Sequence, residues 1–182
     1  MNSKNPHRLT LGAMFFALGL VLPFLTAQIP QIGNMLLPMH IPVFLCGLIC
    51  GWRQGLIIGL LLPLTRSLLF GMPAPYPTAV AMCFELGAYG LFSGLTYYSG
   101  KYRCIRSLYR SLVITMLAGR AVWAAAMIVL MGIQGGAFTF EAFLVGAFLN
   151  AVPGIVLQLV LIPAVMLALD KTGLVRFEEQ RT

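Results

Sequence analysis

The sequence predicts an all-α integral membrane protein with six transmembrane helices, a short helix 2, and both termini in the cytoplasm. The 182 residues are 59% hydrophobic and only 9% charged, whereas a soluble domain carries about 25% charged residues. Apolar runs of about 20 residues, the length that crosses a bilayer, fill most of the chain. The basic residues lie in short clusters between these runs. We therefore expect a single membrane domain over residues 1–182, in a bacterial cytoplasmic membrane.

The first three helices are predicted over residues 9–27, 41–51 and 55–70. Lys4 and Arg8 precede the first apolar run, as in a signal peptide, but no clear small-x-small cleavage site follows, so we interpret the run as a retained helix. Helix 2 is short because a turn-rich stretch precedes it and Trp52-Arg53-Gln54 is interpreted as a tight turn after it.

The last three helices are predicted over residues 78–98, 111–133 and 143–169. Three prolines in residues 71–77 forbid a helix before the first of them. Residues 99–110 are interpreted as a basic loop, and Gln134-Gly135-Gly136 begins the next loop. A charged tail follows the sixth helix.

Lys and Arg occur in every second connection of this arrangement. They precede helix 1, lie between helices 2 and 3 and between helices 4 and 5, and follow helix 6, whereas the other three loops contain none. Six crossings therefore satisfy the positive-inside rule, and the loops after helices 1, 3 and 5 are predicted to face outward.

Several function classes are disfavoured by the same sequence. The net charge of +7 is a topology signal rather than a nucleic-acid groove, because the charges sit between apolar segments. No P-loop, H-E-x-x-H or Gly-x-Ser-x-Gly motif occurs. The four cysteines form no C-x-x-C pair. We therefore expect no catalytic residues, no bound metal and no cofactor, and no nucleic-acid partner.

Ionisable residues inside membrane helices are costly and usually line a protein interior or a cavity. Three occur here, and other polar side chains lie near them along the predicted helices. The predicted substrate-binding residues are Arg66, Glu85, Arg120, Asn150, His40 and Gln158. Most lie in the predicted outer half, which indicates a cavity open to the outside.

One acid and two arginines leave a positive surplus within the membrane. Glu85 neutralises one guanidinium, and the other needs an anionic partner, which favours a substrate with a carboxylate. The alternatives stay open: a structural Arg66–Glu85 pair, an Arg120 that reaches a helix-end carbonyl, or amides that only join helices. The sequence does not decide which arginine pairs with Glu85.

The predicted outer loops are apolar and rich in proline. Met39, Met72 and Tyr76 lie in or near them, and flexible thioethers with an aromatic ring suit an adaptable lid. The alternative is that they anchor the loops at the membrane interface.

Two segments carry a resemblance to a known family: Ala13-Met-Phe-Phe-Ala17, which has the form Ala-x-x-x-Ala, and Leu37-Pro-Met-His-Ile-Pro-Val43 with the glycines that follow it. With these segments, and over nearly its full length, the chain resembles the substrate-binding S components of energy-coupling factor (ECF) vitamin transporters. The first segment is similar to the Ala-x-x-x-Ala motif of that family, and the second is similar to the pantothenate-type branch and its relatives.

This resemblance implies capture of a vitamin or related micronutrient from outside by a subunit of an ATP-driven importer. It implies docking through Ala13 and Ala17 on a transmembrane T component, with two separate ATPase subunits that hydrolyse ATP. Small side chains there allow close helix approach. The arginine surplus favours an acidic vitamin such as pantothenate.

Other functions remain as alternatives. A stand-alone secondary carrier or channel would transport without an ATPase, and a scaffold would bind no small molecule. Within the same family, niacin, pyridoxine, cobalamin, folate or riboflavin are alternative substrates.

Overall fold

The computed structural model describes residues 4–26, 37–100, 104–133, 135 and 151–172. Within these residues the chain forms six α-helices and no strand, so the predicted all-helical fold and the short second helix are confirmed. The helices are α1 (Lys4–Val21), α2 (His40–Cys50), α3 (Trp52–Phe70), α4 (Val80–Tyr98), α5 (Ile105–Ile133) and α6 (Val152–Lys171). A 3₁₀ helix (Leu22–Thr26) extends α1, and one π-helical turn (Pro75–Ala79) precedes α4.

Among the described residues, four stretches are long and apolar enough to cross a membrane: Trp52–Phe70, Pro75–Tyr98, Ile105–Ile133 and Val152–Lys171. The stretches Arg8–Phe24 and His40–Cys50 are apolar but shorter. The protein is therefore membrane-embedded, as its composition predicts.

Three helices begin several residues earlier in the chain than expected, and the first of them, α1, begins at Lys4 rather than at residue 9. Gly51 alone makes the turn between α2 and α3, with φ at +102°, so Trp52-Arg53-Gln54 forms the first turn of α3 rather than a loop. Helix α5 begins at Ile105 rather than at residue 111, because no glycine or proline interrupts residues 105–110. The expected start of helix 6 at residue 143 lies outside the described residues.

The core of the bundle lies around α2 and α4. Every residue of α2 except Ile49 is buried, because α1, α3 and α4 pack around this short helix. Helix α4 packs against α2, α3 and α5 and carries the largest share of the contacts. A side chain on α4 that points inward therefore meets groups from several helices.

Glycines allow α2, α3 and α4 to approach backbone to backbone. A Cβ atom on Gly55 would lie 2.5 Å from the Gly90 carbonyl oxygen and 2.8 Å from the Cα atom of Gly47. A Cβ atom on Gly59 would collide with the backbone of Leu86. These glycines bring the helices into close contact, and the contact sets the register of α3 against α4.

Candidate functional site

Glu85 on α4 is the centre of a buried polar cluster. Its side chain is only 2% exposed, and its Oε1 atom accepts a hydrogen bond from the Tyr89 hydroxyl at 3.1 Å. The Arg120 Nη1 atom lies 2.9 Å from the same oxygen. The His40 Nε2 atom lies 3.7 Å from it, which is an ion-pair distance but longer than a hydrogen bond. We call Glu85, Tyr89, Arg120 and His40 the Glu85 cluster.

Three helices supply the members of the Glu85 cluster. His40 is the first residue of α2, Glu85 and Tyr89 lie one helical turn apart on α4, and Arg120 lies near the middle of α5. The spacing of four residues places Glu85 and Tyr89 on the same face of α4. The cluster therefore depends on how α2, α4 and α5 pack together.

Aromatic rings enclose one side of the Glu85 cluster. The Tyr89 ring lies 5.2 Å from the His40 ring and 4.8 Å from the Phe44 ring, measured between centroids. Phe44 and Tyr89 are both fully buried. Such packing restricts the rotamers of His40 and Tyr89 and excludes water from that side of the carboxylate.

Several buried polar atoms of the bundle have no hydrogen-bond partner among the described residues. They are Arg120 Nε, both ring nitrogens of His40, Gln158 Nε2, Thr115 Oγ1 and Ser107 Oγ. Buried polar groups are normally paired, so unpaired ones indicate a place for water or for a ligand. Arg120 Nε and Gln158 Nε2 are donors, which would suit a ligand rich in oxygen acceptors.

Arg66 lies apart from the Glu85 cluster. Its Nη1 atom donates to the Leu20 carbonyl oxygen at 2.9 Å, at the end of α1. The guanidinium also lies over the rings of Phe24 and Phe70, at 5.4 and 5.6 Å from their centroids. Among the described residues it makes no ion pair. Arg120, rather than Arg66, is thus the arginine that pairs with Glu85.

Of the two amide residues predicted to bind the substrate, the structure describes only Gln158. Gln158 is buried on α6, which packs against α5 and α2, but among the described residues it makes no hydrogen bond with Glu85. Asn150 lies outside the described residues. The structure therefore brings together His40, Glu85 and Arg120, and places Gln158 on a neighbouring buried face.

The three predicted lid residues lie at different depths. Met39 is buried against the core, Met72 is half-buried, and Tyr76 is exposed. The Tyr76 hydroxyl donates to the Leu130 carbonyl oxygen at 2.7 Å, which ties the segment before α4 to the end of α5. Ser67 ties the same segment to α3 through a hydrogen bond to the Pro73 carbonyl oxygen at 2.7 Å.

Ala13 and Ala17 lie on the exposed face of α1. Both side chains are exposed, whereas Phe15 between them is buried in the core. A Cβ atom on Gly12 or Gly19 would meet side chains of α3, so those glycines face the bundle. The two alanines are four residues apart and are open to an approaching helix.

Sequence reasoning missed Tyr89, although its spacing from Glu85 was a usable signal. A tyrosine one turn from a buried acid on the same helix face can reach the carboxylate. Among the described residues, no group of three or more His, Cys, Asp or Glu residues has the arrangement of a metal site.

These features define a small helical membrane protein with a buried polar cluster between its helices, some of whose donors have no partner in the described part of the chain. A family model described as "ECF transporter, substrate-specific component" matches residues 7–166, which is most of the chain. The chain therefore belongs to the family of substrate-specific S components of ECF transporters. Its members are the substrate-binding subunits of these transporters rather than enzymes, and they work with T and ATPase components. Neither the curated proteins nor the solved structures gave a match.

Proposed function

We propose that this S component captures an acidic vitamin from outside a bacterial cytoplasmic membrane, and that pantothenate is its substrate. The observation that carries the proposal is the Glu85 cluster, in which the Nε donor of the buried Arg120 has no partner among the described residues and lies beside the Glu85 carboxylate. A substrate carboxylate would supply the missing acceptor.

The charges of the buried side chains support an acid over a cation. Arg66, Arg120 and Glu85 are the charged side chains buried in the described helices, which leaves one positive charge in excess. A carboxylate compensates this excess, whereas a cationic vitamin such as thiamine increases it. Arg66 contributes to the positive potential even though its Nη1 atom is bound to the Leu20 carbonyl.

The unpaired donors support a substrate with further oxygen acceptors. Pantothenate carries a carboxylate, an amide carbonyl and two hydroxyls, so it offers oxygen acceptors for donors on Arg120, His40 and Gln158. We propose these residues, with Arg66, Glu85 and Asn150, as the substrate site. Met39, Met72 and Tyr76 are proposed as its lid on the outer side.

Ala13 and Ala17 are proposed as the docking face for the T component, which would assemble with two ATPase subunits. Their small, exposed side chains leave room for a partner helix. This arrangement requires the termini to lie in the cytoplasm, as the alternating basic loops predict.

The test is native mass spectrometry of the purified chain with matched pairs of vitamins. Pantothenate and pantothenol differ only in the acid, as do nicotinate and nicotinamide. Retention of pantothenate but not of pantothenol, and its loss in Arg120→Ala, supports the proposal. Retention of nicotinate and of no other vitamin supports an acidic substrate but rejects pantothenate. Equal retention of both members of a pair, or retention of thiamine, rejects the charge argument.

A further inference from the structure

We propose that Tyr89 is a positioning residue, which fixes the Glu85 carboxylate so that Arg120 is held ready for the ligand. We further propose that Gly119, which has no side chain, leaves the space that the tyrosine ring occupies. The consequence for ligand affinity rests on the proposed function, but the positioning of Glu85 does not.

The first observation is that three contacts converge on one oxygen of Glu85. Tyr89, Arg120 and His40 all approach Oε1, at 3.1, 2.9 and 3.7 Å. Only Tyr89 comes from the same helix as Glu85, so its hydrogen bond keeps its geometry when neighbouring helices shift slightly. The hydroxyl therefore sets the direction in which the carboxylate faces Arg120.

The second observation is that Tyr89 itself has little freedom. Its side chain is 1% exposed, and its ring packs against His40 and Phe44. A ring packed against two other rings presents its hydroxyl in one place. Rigid support of this kind is what a binding residue needs from its neighbours.

The third observation is the fit between the Tyr89 ring and Gly119 on α5. A Cβ atom on Gly119 would collide with three atoms of the ring, so only glycine leaves room for it. Gly119 directly precedes Arg120 in the chain. One turn of α5 therefore both admits the tyrosine and carries the guanidinium, which couples the position of the ring to that of the ion pair.

The experiment is a double-mutant cycle with Tyr89→Phe and Glu85→Gln in the full-length chain. It is read in two ways: as pantothenate affinity, and as the melting temperature of the ligand-free protein in detergent. Tyr89→Phe should weaken pantothenate binding about tenfold, because a hydrogen bond to a charged group is lost. In the Glu85→Gln background the same substitution should have a clearly smaller effect on both readouts, because the amide oxygen accepts only an uncharged and weaker hydrogen bond from Tyr89.

Two companion variants separate positioning from general packing. Tyr98→Phe removes a hydroxyl that donates to the Leu48 carbonyl at 3.0 Å, on the same helix but away from Glu85. Its effects should add to those of Glu85→Gln. Gly119→Ala should weaken binding in the wild-type background but not in a Tyr89→Ala background, where the added methyl meets no ring.

The outcomes distinguish the positioning role of Tyr89 from the proposed binding of pantothenate. Non-additive effects of Tyr89→Phe and Glu85→Gln in both readouts support the positioning role. Additive effects in the melting temperature overturn it, whether or not pantothenate binds. If the wild-type chain binds no pantothenate while the melting temperatures remain non-additive, the positioning role stands and the proposed substrate is rejected.

Discussion

The Arg120 guanidinium lies 2.9 Å from the Glu85 carboxylate, and both groups are buried between α4 and α5. The pair is incompletely satisfied, because Arg120 Nε has no partner among the described residues. A buried ion pair adds little net stability, but removal of one partner leaves an uncompensated charge. The pair therefore affects both the stability of the fold and the affinity for a ligand, and suitable substitutions should separate these two effects.

The first prediction concerns this pair. Arg120→Met should lower the free energy of unfolding by about 3–5 kcal/mol, because Glu85 remains buried without its cation. The double variant Arg120→Met with Glu85→Met should recover much of that loss yet bind no acidic vitamin. Thermal unfolding and ligand affinity measure the two effects. Arg110→Met, an exposed position on the same helix, is the matched control and should change neither. A double variant that binds as tightly as the wild type would contradict the assignment of Arg120 to the site.

The second prediction concerns Arg66. Arg66→Met removes the hydrogen bond to the Leu20 carbonyl and the contacts with two aromatic rings, so it should destabilise the protein by about 1.5–3 kcal/mol. Its effect on affinity for an acidic vitamin should be smaller than that of Arg120→Met, because Arg66 lies outside the Glu85 cluster. Calorimetric titration of both variants makes the comparison. An equal or larger loss of affinity in Arg66→Met would show that Arg66 contributes at least as much to binding as Arg120 does.

The sequence predicted the positions of the helices better than it predicted which side chains on them pair with one another. Composition and apolar run length identify the six helices, whereas the close contacts of α2, α3 and α4 through glycines are known from the structure. The first residues of α3 and α5 were harder to predict. A single helix-breaking residue, Gly51, precedes α3, and residues 105–110 contain no glycine or proline. A basic segment can be helical, so charge alone does not mark a loop.

The identity of the partner of Glu85 depends on helix register, which a single sequence does not contain. Gly59 of α3 lies against Leu86 of α4, the residue after Glu85. Arg66 follows Gly59 by about two helical turns, which carries it about 10 Å along the axis and away from Glu85. On α5, Gly119 lies against the Tyr89 ring, and this register brings Arg120 to the carboxylate.

The third prediction concerns the close contact of α3 and α4. Gly55→Ala places a methyl group 2.5 Å from the Gly90 carbonyl oxygen, and neither backbone can move without separating the helices. We expect a loss of about 1–3 kcal/mol in the free energy of unfolding, the usual cost of overpacking. Gly132→Ala on α5 is the control, because nothing lies within 4 Å of the added atom. It should be neutral or slightly stabilising, since alanine favours a helix. Equal melting temperatures for the two variants would argue against this helix contact.

The fourth prediction tests the proposed docking face. Ala13→Trp combined with Ala17→Trp should abolish copurification with a coexpressed T component and ATPases, because bulky rings keep a partner helix from approaching α1. Vitamin binding by the isolated chain should persist, since both side chains point away from the bundle and the Glu85 cluster lies on other helices. Leu68→Trp is the control: Leu68 is 84% exposed on α3, so it adds a ring to another outward face. A complex that survives the double tryptophan variant, or one that Leu68→Trp disrupts equally, would remove the docking role from Ala13 and Ala17.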